Sequence, residues 1–201
     1  NPEKLRITHL GGGACSLARY CADVYPNSRN TVVELDAKLA EYVRDWFDIP
    51  KSPRVKIRVG DAGTITRSFA PASRDVVIRD VFAVDKTPAE LTGVDFVRTV
   101  DHSLAPGGVY ILNCGDDRTL NAARAEAAAL LEVFEYVSIV ADSAMLKGRR
   151  RGNIILAGSH VPLPQLGSAE AASISRVLMG GGVPAQYWDT EKVRVFARKG
   201  A

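Results

Sequence analysis

The residues best suited to chemistry are three consecutive glycines and three acidic residues that follow predicted strands. Gly11, Gly12 and Gly13, the glycine loop, come directly after a β-branched run and before a helical segment. Glycine lets the backbone approach a ligand closely, and the free N–H groups at a helix start attract negatively polarised groups. The loop is therefore a candidate ligand-binding turn, and a tight turn without a ligand is the other interpretation.

The first of the acidic residues is Glu34, which ends the second predicted strand 21 residues after Gly13. A carboxylate there can accept hydrogen bonds from both hydroxyls of a ribose. The alternative is a solvated charge at the strand end, and the neighbouring Asp36 is predicted to cap the next helix. The G-x-G-x-x-G pattern of dinucleotide sites is incomplete because Ser16 replaces its last glycine, which disfavours an NAD-dependent reductase.

Asp61 and Asp80 follow the third and fourth predicted strands. A carboxylate at Asp61 is suited to accept a hydrogen bond from the amine of adenine, although either residue alone also fits a helix cap or a loop charge. Ligands of open α/β sheets bind beyond the carboxyl ends of the strands. We therefore expect Glu34, Asp61 and Asp80 to converge beside the glycine loop on one rim of a sheet.

Alternating strand-like and helix-like segments are expected to position these residues. Runs rich in Val, Ile and Leu predict strands at 5–10, 31–35, 54–59, 75–79 and 108–113. Helical patterns lie at 15–25, 37–47, near 62–69, at 92–104 and at 117–133. This alternation predicts an α/β, doubly wound Rossmann-like sheet of mostly parallel strands joined by right-handed crossovers.

The pattern changes after residue 133. Two strand-like runs, 135–141 and 153–158, are separated by 142–152, where no helix is expected, so they are predicted to form an antiparallel pair at the C-terminal side of the sheet. The tail predicts a short helix at 168–178 and a final strand at 193–197.

Composition bounds the kind of protein. The 201 residues are 46% hydrophobic with a formal net charge of +3, which predicts one domain over 1–201 and excludes extended disorder. The small charge excess gives no reason to expect a nucleic-acid partner, and the basic run 147–151 is typical of a solvated loop tip. No apolar run reaches the roughly 18 residues of a membrane span and no secretory signal is visible, so we expect a cytoplasmic protein without a membrane partner.

Cysteine and histidine give weaker signals. The three cysteines and three histidines of the sequence lack the spacing of metal ligands, so no metal is expected. Cys15 stands at a helix start without an evident partner, which disfavours nucleophilic catalysis. His9, within the first strand, is more typical of a hydrogen-bonded core residue than of a ligand.

The order of the motifs resembles that of a known family. GGG (11–13), VELD (33–36), VGDA (59–62), DVVIRD (75–80) and LAPGGVYILN (104–113) are similar to the nucleoside-binding domain of class I S-adenosylmethionine-dependent transferases, and most closely to the polyamine aminopropyltransferase (spermidine synthase) family. The resemblance covers residues 5 to about 160. It implies a seven-stranded sheet with a C-terminal antiparallel pair, a homodimer, and decarboxylated S-adenosylmethionine or S-adenosylmethionine as co-substrate.

The resemblance also implies roles for individual residues. The glycine loop would line the aminoacyl side of the nucleoside, Glu34 with its neighbour Leu35 would hold the ribose side, and Asp61 with Ala62 would hold adenine. Asp80 matches the first acid of the family's D-S-S-D-like loop and would accept a proton from an amine substrate. This assigns the chain to polyamine biosynthesis as a transferase that moves an aminopropyl group to a small-molecule amine.

Three departures from the family pattern are visible. Ala14 stands where an acid usually holds the amine of the donor, Ala83 replaces the second acid of the D-S-S-D-like loop with Asp85 two residues on, and the family's N-terminal β-domain is absent from this sequence. Methyl transfer from S-adenosylmethionine to another small-molecule nucleophile needs neither acid and is therefore an alternative. A non-catalytic nucleoside-binding homologue is the second alternative.

Overall fold

The computed structural model describes residues 4–198, and within them it has eight strands and eight α-helices. The strands are β1 (Arg6–Leu10), β2 (Arg29–Glu34), β3 (Val55–Val59), β4 (Arg74–Arg79), β5 (Leu104–Asp116), β6 (Tyr136–Asp142), β7 (Gly152–Ser159) and β8 (Ala185–Trp188). The helices are α1 (Ser16–Val24), α2 (Ala37–Trp46), α3 (Ala62–Arg67), α4 (Gly93–Ser103), α5 (Asn121–Val133), α6 (Ser143–Leu146), α7 (Ala169–Met179) and α8 (Thr190–Arg198). The predicted α/β alternation is confirmed, but the sheet has eight strands rather than seven.

The chain forms two compact units. The first runs to Phe82 and includes Thr99–Tyr110, and the second comprises Ala83–Arg98 and the chain from Ile111 onward. In the first unit β1 pairs in parallel with both β2 and β4, and β2 pairs in parallel with β3, which gives the order β3-β2-β1-β4. These parallel pairs are the ones that the strand–helix alternation predicts.

Helices α1 and α2 cover one face of the β2–β3 part of this sheet. The apolar cluster between them combines small residues of α1 with strand valines; its buried members are Cys15, Ala18, Ala22, Val32, Val43, Ile49 and Val55. Asp36 caps α2 as predicted, since its side chain accepts hydrogen bonds from the backbone N–H groups of Lys38 and Leu39 at 2.8 and 3.1 Å. The cap and the buried stripe together fix where α2 begins and which face it buries.

In the second unit β6 lies between β7 and β8 and is antiparallel to both. The predicted antiparallel pair is therefore confirmed, although the 142–152 connection contains the short helix α6, which begins at the capping residue Asp142. The strand predicted at 193–197 is wrong, because this segment belongs to α8. Thr190, Val193 and Phe196 are buried at three-residue spacing, which is the period of a helix and not of a strand. None of the helices in residues 4–198 is long and apolar enough to cross a bilayer.

Candidate functional site

The carboxyl ends of four parallel strands meet at one edge of the first unit. In the register Leu10 is opposite both Val33 and Arg79, and Glu34 is opposite Val59. Backbone hydrogen bonds continue the pairing one residue further, from Gly11 N to Val33 O at 3.0 Å, from Asp80 N to Leu10 O at 2.8 Å and from Gly60 N to Glu34 O at 2.8 Å. The candidate residues therefore leave the sheet along this one edge.

Glu34 and the glycine loop are in direct contact. The Oε2 atom of Glu34 accepts hydrogen bonds from the backbone N–H groups of Gly12 at 3.0 Å and Gly13 at 3.1 Å. Its Oε1 atom accepts one from the N–H of Asp36 at 2.9 Å. The carboxylate thus ties the loop after β1 to the end of β2, a contact that sequence reasoning did not identify.

Two glycines of the loop occupy positions where a side chain would collide. A Cβ atom on Gly11, which has φ of 91°, would overlap the carbonyl oxygen of Asp80. A Cβ atom on Gly12 would lie 2.9 Å from Val32 Cγ1 and 3.0 Å from the Glu34 carboxylate. A Cβ atom on Gly13 would meet nothing within 4 Å, so the only constraint on a side chain there is the φ of 46°. The loop backbone is therefore packed against its neighbours at Gly11 and Gly12 and open at Gly13.

A cavity of about 280 Å³ lies between the glycine loop, the first turn of α1 and the sheet. Its volume is near the lower end of the roughly 300–1,000 Å³ that small-molecule sites span. Its lining comprises His9, Leu10, Gly11, Gly12, Gly13, Ala14, Cys15, Ser16, Leu17, Ala18, Val32, Ile78 and Asp80. Of the predicted site residues, the cavity unites Asp80 with the glycine loop.

The remaining predicted residues lie outside this lining. Asp61 is the N-cap of α3 and accepts a hydrogen bond from the N–H of Thr64 at 2.7 Å. This bond to the charged form lowers the pKa of the Asp61 carboxyl below its ordinary value. Ala62 is buried and Leu35 is 73% exposed beside Glu34. The helix-cap alternative considered for Asp61 is therefore realised, through its Oδ1 atom.

His9 lies in the wall of the cavity, a position that the sequence did not reveal. It lines the cavity with only 4% of its surface exposed, and its Nε2 atom lies 3.0 Å from the Oδ1 atom of Asn30. Burial lowers the pKa of the His9 imidazole because it disfavours the charged ring, and the contact with Asn30 opposes this only in part. The ring is therefore neutral at physiological pH.

Cys15 and Cys21 are not suited to act as nucleophiles. Cys15 lines the cavity, but burial raises the pKa of its thiol, which leaves it protonated at neutral pH. Burial raises the pKa of Cys21 in the same way. Among residues 4–198 no group of three or more His, Cys, Asp and Glu side chains is arranged to hold a metal ion.

The strand order, the glycine loop and the acid that ends β2 define the fold of the class I S-adenosylmethionine-dependent transferases. A solved structure, a probable spermidine synthase from Corynebacterium glutamicum ATCC 13032, is 60% identical to this chain and covers 98% of it at a TM-score of 0.95, while this chain covers 71% of that structure. This chain belongs to the spermidine synthase family.

Relatives also include methyltransferases. Human methyltransferase-like protein 13, solved in complex with SAH, is 26% identical with a TM-score of 0.69, and the match covers 87% of this chain and 80% of that one. The mouse eEF1A lysine and N-terminal methyltransferase is 34% identical over an alignment of 128 residues, which covers 58% of this chain and 18% of that protein. The polyamine aminopropyltransferase of Vibrio vulnificus (strain CMCP6) is 28% identical over 114 residues, and the match covers 56% of this chain and 38% of that protein. This chain thus spans less than half of the length of these curated relatives. No protein-family model matches the sequence.

Proposed function

We propose that this chain transfers the aminopropyl group of decarboxylated S-adenosylmethionine to a polyamine amine. The observation that carries this proposal is the cavity that joins Asp80 to the glycine loop, in a chain 60% identical to a probable spermidine synthase. In the reaction the amine nitrogen attacks the carbon next to the sulfonium. A C–N bond forms, the C–S bond breaks with its electron pair going to sulfur, and methylthioadenosine leaves.

The donor site is proposed to surround the glycine loop. The loop is packed against the protein at Gly11 and Gly12 but open at Gly13, where nothing in the described chain lies within 4 Å of the Cβ position and a ligand can approach the backbone. Oε2 of Glu34 is taken by the N–H groups of Gly12 and Gly13, whereas Oε1 accepts, among residues 4–198, only the N–H of Asp36 and would accept a further hydrogen bond from a ribose hydroxyl. The exposed Leu35 would cover the nucleoside. The carboxylate of Asp61 accepts the N–H of Thr64 through Oδ1 and is exposed, and it would accept a hydrogen bond from the amine of adenine, beside Ala62.

Asp80 is proposed as the general base. The attacking amine must be neutral, since an ammonium has no lone pair, and the product nitrogen then carries an extra proton. The exposed carboxylate of Asp80 lines the cavity at the loop and is suited to orient the amine and to take this proton. Asp85, the candidate second acid, carries an ion pair at 3.4 Å from its Oδ2 to Nη2 of Arg151, so it is less suited to bind a second ammonium.

The alternative is methyl transfer from S-adenosylmethionine to a small-molecule nucleophile. Ala14, a cavity residue without charge, favours this reading because it offers no counter-charge that selects the decarboxylated donor. The similarity to a human methyltransferase solved with SAH also favours it.

The deciding experiment supplies purified protein with putrescine and either donor, and follows the nucleoside product by mass. Aminopropyl transfer releases methylthioadenosine, whereas methyl transfer releases S-adenosylhomocysteine. Production of S-adenosylhomocysteine alone would establish the alternative. Nucleoside binding without either product, with putrescine and with a panel of other amines and small nucleophiles, would support a non-catalytic homologue. Glu34→Gln should weaken binding of both donors, because it replaces one acceptor oxygen by an NH₂ group.

The reaction is proposed to take place in the cytoplasm, and the protein is proposed to act as a homodimer. The three cysteines are buried and none forms a disulfide, which suits a reducing compartment. Light scattering at micromolar concentration would test the homodimer, because a monomer mass would contradict it.

A further inference from the structure

The sheet side of the cavity contains a histidine, His9, with one ring nitrogen that is not used as a hydrogen-bond acceptor. His9 is opposite Val32 on one neighbouring strand and Ile78 on the other, and all three residues line the cavity. His9 is therefore the polar group in an otherwise apolar wall, and it is 4% exposed.

The hydrogen bonds of Asn30 decide which ring nitrogen carries the proton. The Nδ2 atom of Asn30 donates to Ser28 Oγ at 2.9 Å and to the carbonyl oxygen of Arg54 at 3.0 Å. That carbonyl can only accept, so the amide NH₂ group faces it and the Oδ1 atom faces His9. His9 must then donate its Nε2–H to Asn30, which leaves a lone pair on Nδ1.

This lone pair has no hydrogen-bond partner. The Nδ1 atom of His9 is buried and makes no hydrogen bond in the described part of the chain. Buried acceptors are satisfied in most proteins, and each unsatisfied one has a cost that a bound donor group would remove. His9 lines the cavity, so a ligand N–H group there would supply that donor once a small shift of the ring exposes Nδ1, which has almost no accessible surface in this structure.

We propose that Nδ1 of His9 accepts a hydrogen bond from the amino group of the donor's aminopropyl chain. This inference rests on the proposed function, which puts that chain in the same cavity. The other polar side chains of the lining are Cys15, which is protonated, Ser16 at the start of α1, and Asp80, which serves the acceptor amine. His9 thus binds the donor's amine through a neutral acceptor.

Calorimetry with decarboxylated S-adenosylmethionine and with methylthioadenosine tests this assignment, because methylthioadenosine lacks the amine. His9→Leu should weaken binding of the decarboxylated donor about tenfold and change binding of methylthioadenosine less than twofold. Thr8→Val is the matched control: Thr8 is also fully buried with an unpartnered Oγ1, but it does not line the cavity. This control should change neither affinity.

Equal weakening of both ligands in His9→Leu, or no weakening, would overturn the assignment. If that variant does not fold, nitrogen NMR of the wild-type imidazole replaces it. The Nδ1 resonance should shift on adding the decarboxylated donor and stay in place with methylthioadenosine, and the opposite pattern rejects the hydrogen bond. Wild-type protein that binds the donor but releases no methylthioadenosine with putrescine refutes the proposed function alone, whereas protein that binds neither nucleoside refutes this inference as well.

Discussion

The backbone of Gly11 lies against the carbonyl group of Asp80, so closely that a Cβ atom at position 11 would overlap the carbonyl oxygen. Gly11→Ala must therefore separate the loop after β1 from the end of β4, in addition to straining a φ of 91°. We expect a loss of about 2–4 kcal/mol in the free energy of unfolding. Urea titration would measure it.

Gly13→Ala is the control for this substitution. Gly13 also has a positive φ, 46°, but nothing lies within 4 Å of its Cβ position. Gly13→Ala should lower the free energy of unfolding only by the strain of the left-handed backbone, about 1–2 kcal/mol. If Gly13→Ala proves as damaging as Gly11→Ala, the contact with Asp80 is not what requires glycine.

Asp61→Asn should separate helix capping from ligand binding. Asparagine caps helices about as well as aspartate, so the hydrogen bond to Thr64 and the free energy of unfolding should persist within about 0.5 kcal/mol. One carboxylate oxygen becomes a donor that repels the amine of adenine, and we expect donor affinity to fall about tenfold. Calorimetry and urea titration give both quantities. Asp36→Asn, the same change at the α2 cap, should leave affinity unchanged.

Asp80→Asn should lower kcat for aminopropyl transfer by a factor of about 10²–10⁴, because the amide cannot take a proton. Donor binding should remain within twofold, which calorimetry would check. The matched control is Asp85→Asn, since Asp85 is exposed and paired with Arg151 at 3.4 Å. A larger loss of kcat in Asp85→Asn than in Asp80→Asn would transfer the role of base to Asp85.

The Arg6–Asp75 pair predicts an acid-dependent loss of stability. Asp75 accepts hydrogen bonds from Arg6 Nε at 2.9 Å and Nη2 at 2.8 Å, and these bonds lower the pKa of its carboxyl. A lowered folded-state pKa stabilises the protein above the unfolded value of about 3.9, and this stability is lost as the pH falls through the folded value.

Asp75→Asn should therefore cost about 1 kcal/mol at pH 7, a modest amount because both side chains are partly exposed, and the difference from wild type should shrink below pH 4. Urea midpoints at pH 7 and pH 3 would measure it. Glu191→Gln, in a more exposed pair with 3.7 Å between Arg194 Nε and Glu191 Oε1, should leave the midpoint nearly unchanged. A difference that persists undiminished at pH 3 would contradict the ion-pair explanation.

Most of the strands were predictable because their apolar runs reflect local chain periodicity. The strand prediction at 193–197 was wrong because VRVFA alternates apolar and polar residues as a strand does. Only the packing shows that Val193 and Phe196 are the buried residues, which is a helical spacing. Strand β8 has only four residues and begins Ala-Gln, so it is too short to show a strand period in the sequence, and its pairing with β6 defines it. Burial against distant segments decides both cases.

The placement of the candidate residues was predictable where it depends on strand ends, and not where it depends on side-chain partners. Strand ends brought Glu34 and Asp80 to the edge that carries the glycine loop. The tautomer of His9 depends on Asn30, Ser28 and the Arg54 carbonyl, and no local pattern connects these residues. The proton position follows only from the folded arrangement of the three strands.

The carboxylate of Glu34 already holds the backbone of Gly12 and Gly13 before any nucleoside arrives. The entropy of ordering this turn is therefore lost during folding and not during association. Such preorganisation should make nucleoside association fast, with a single kinetic phase. Nucleosides that differ in affinity should then differ mainly in their dissociation rates.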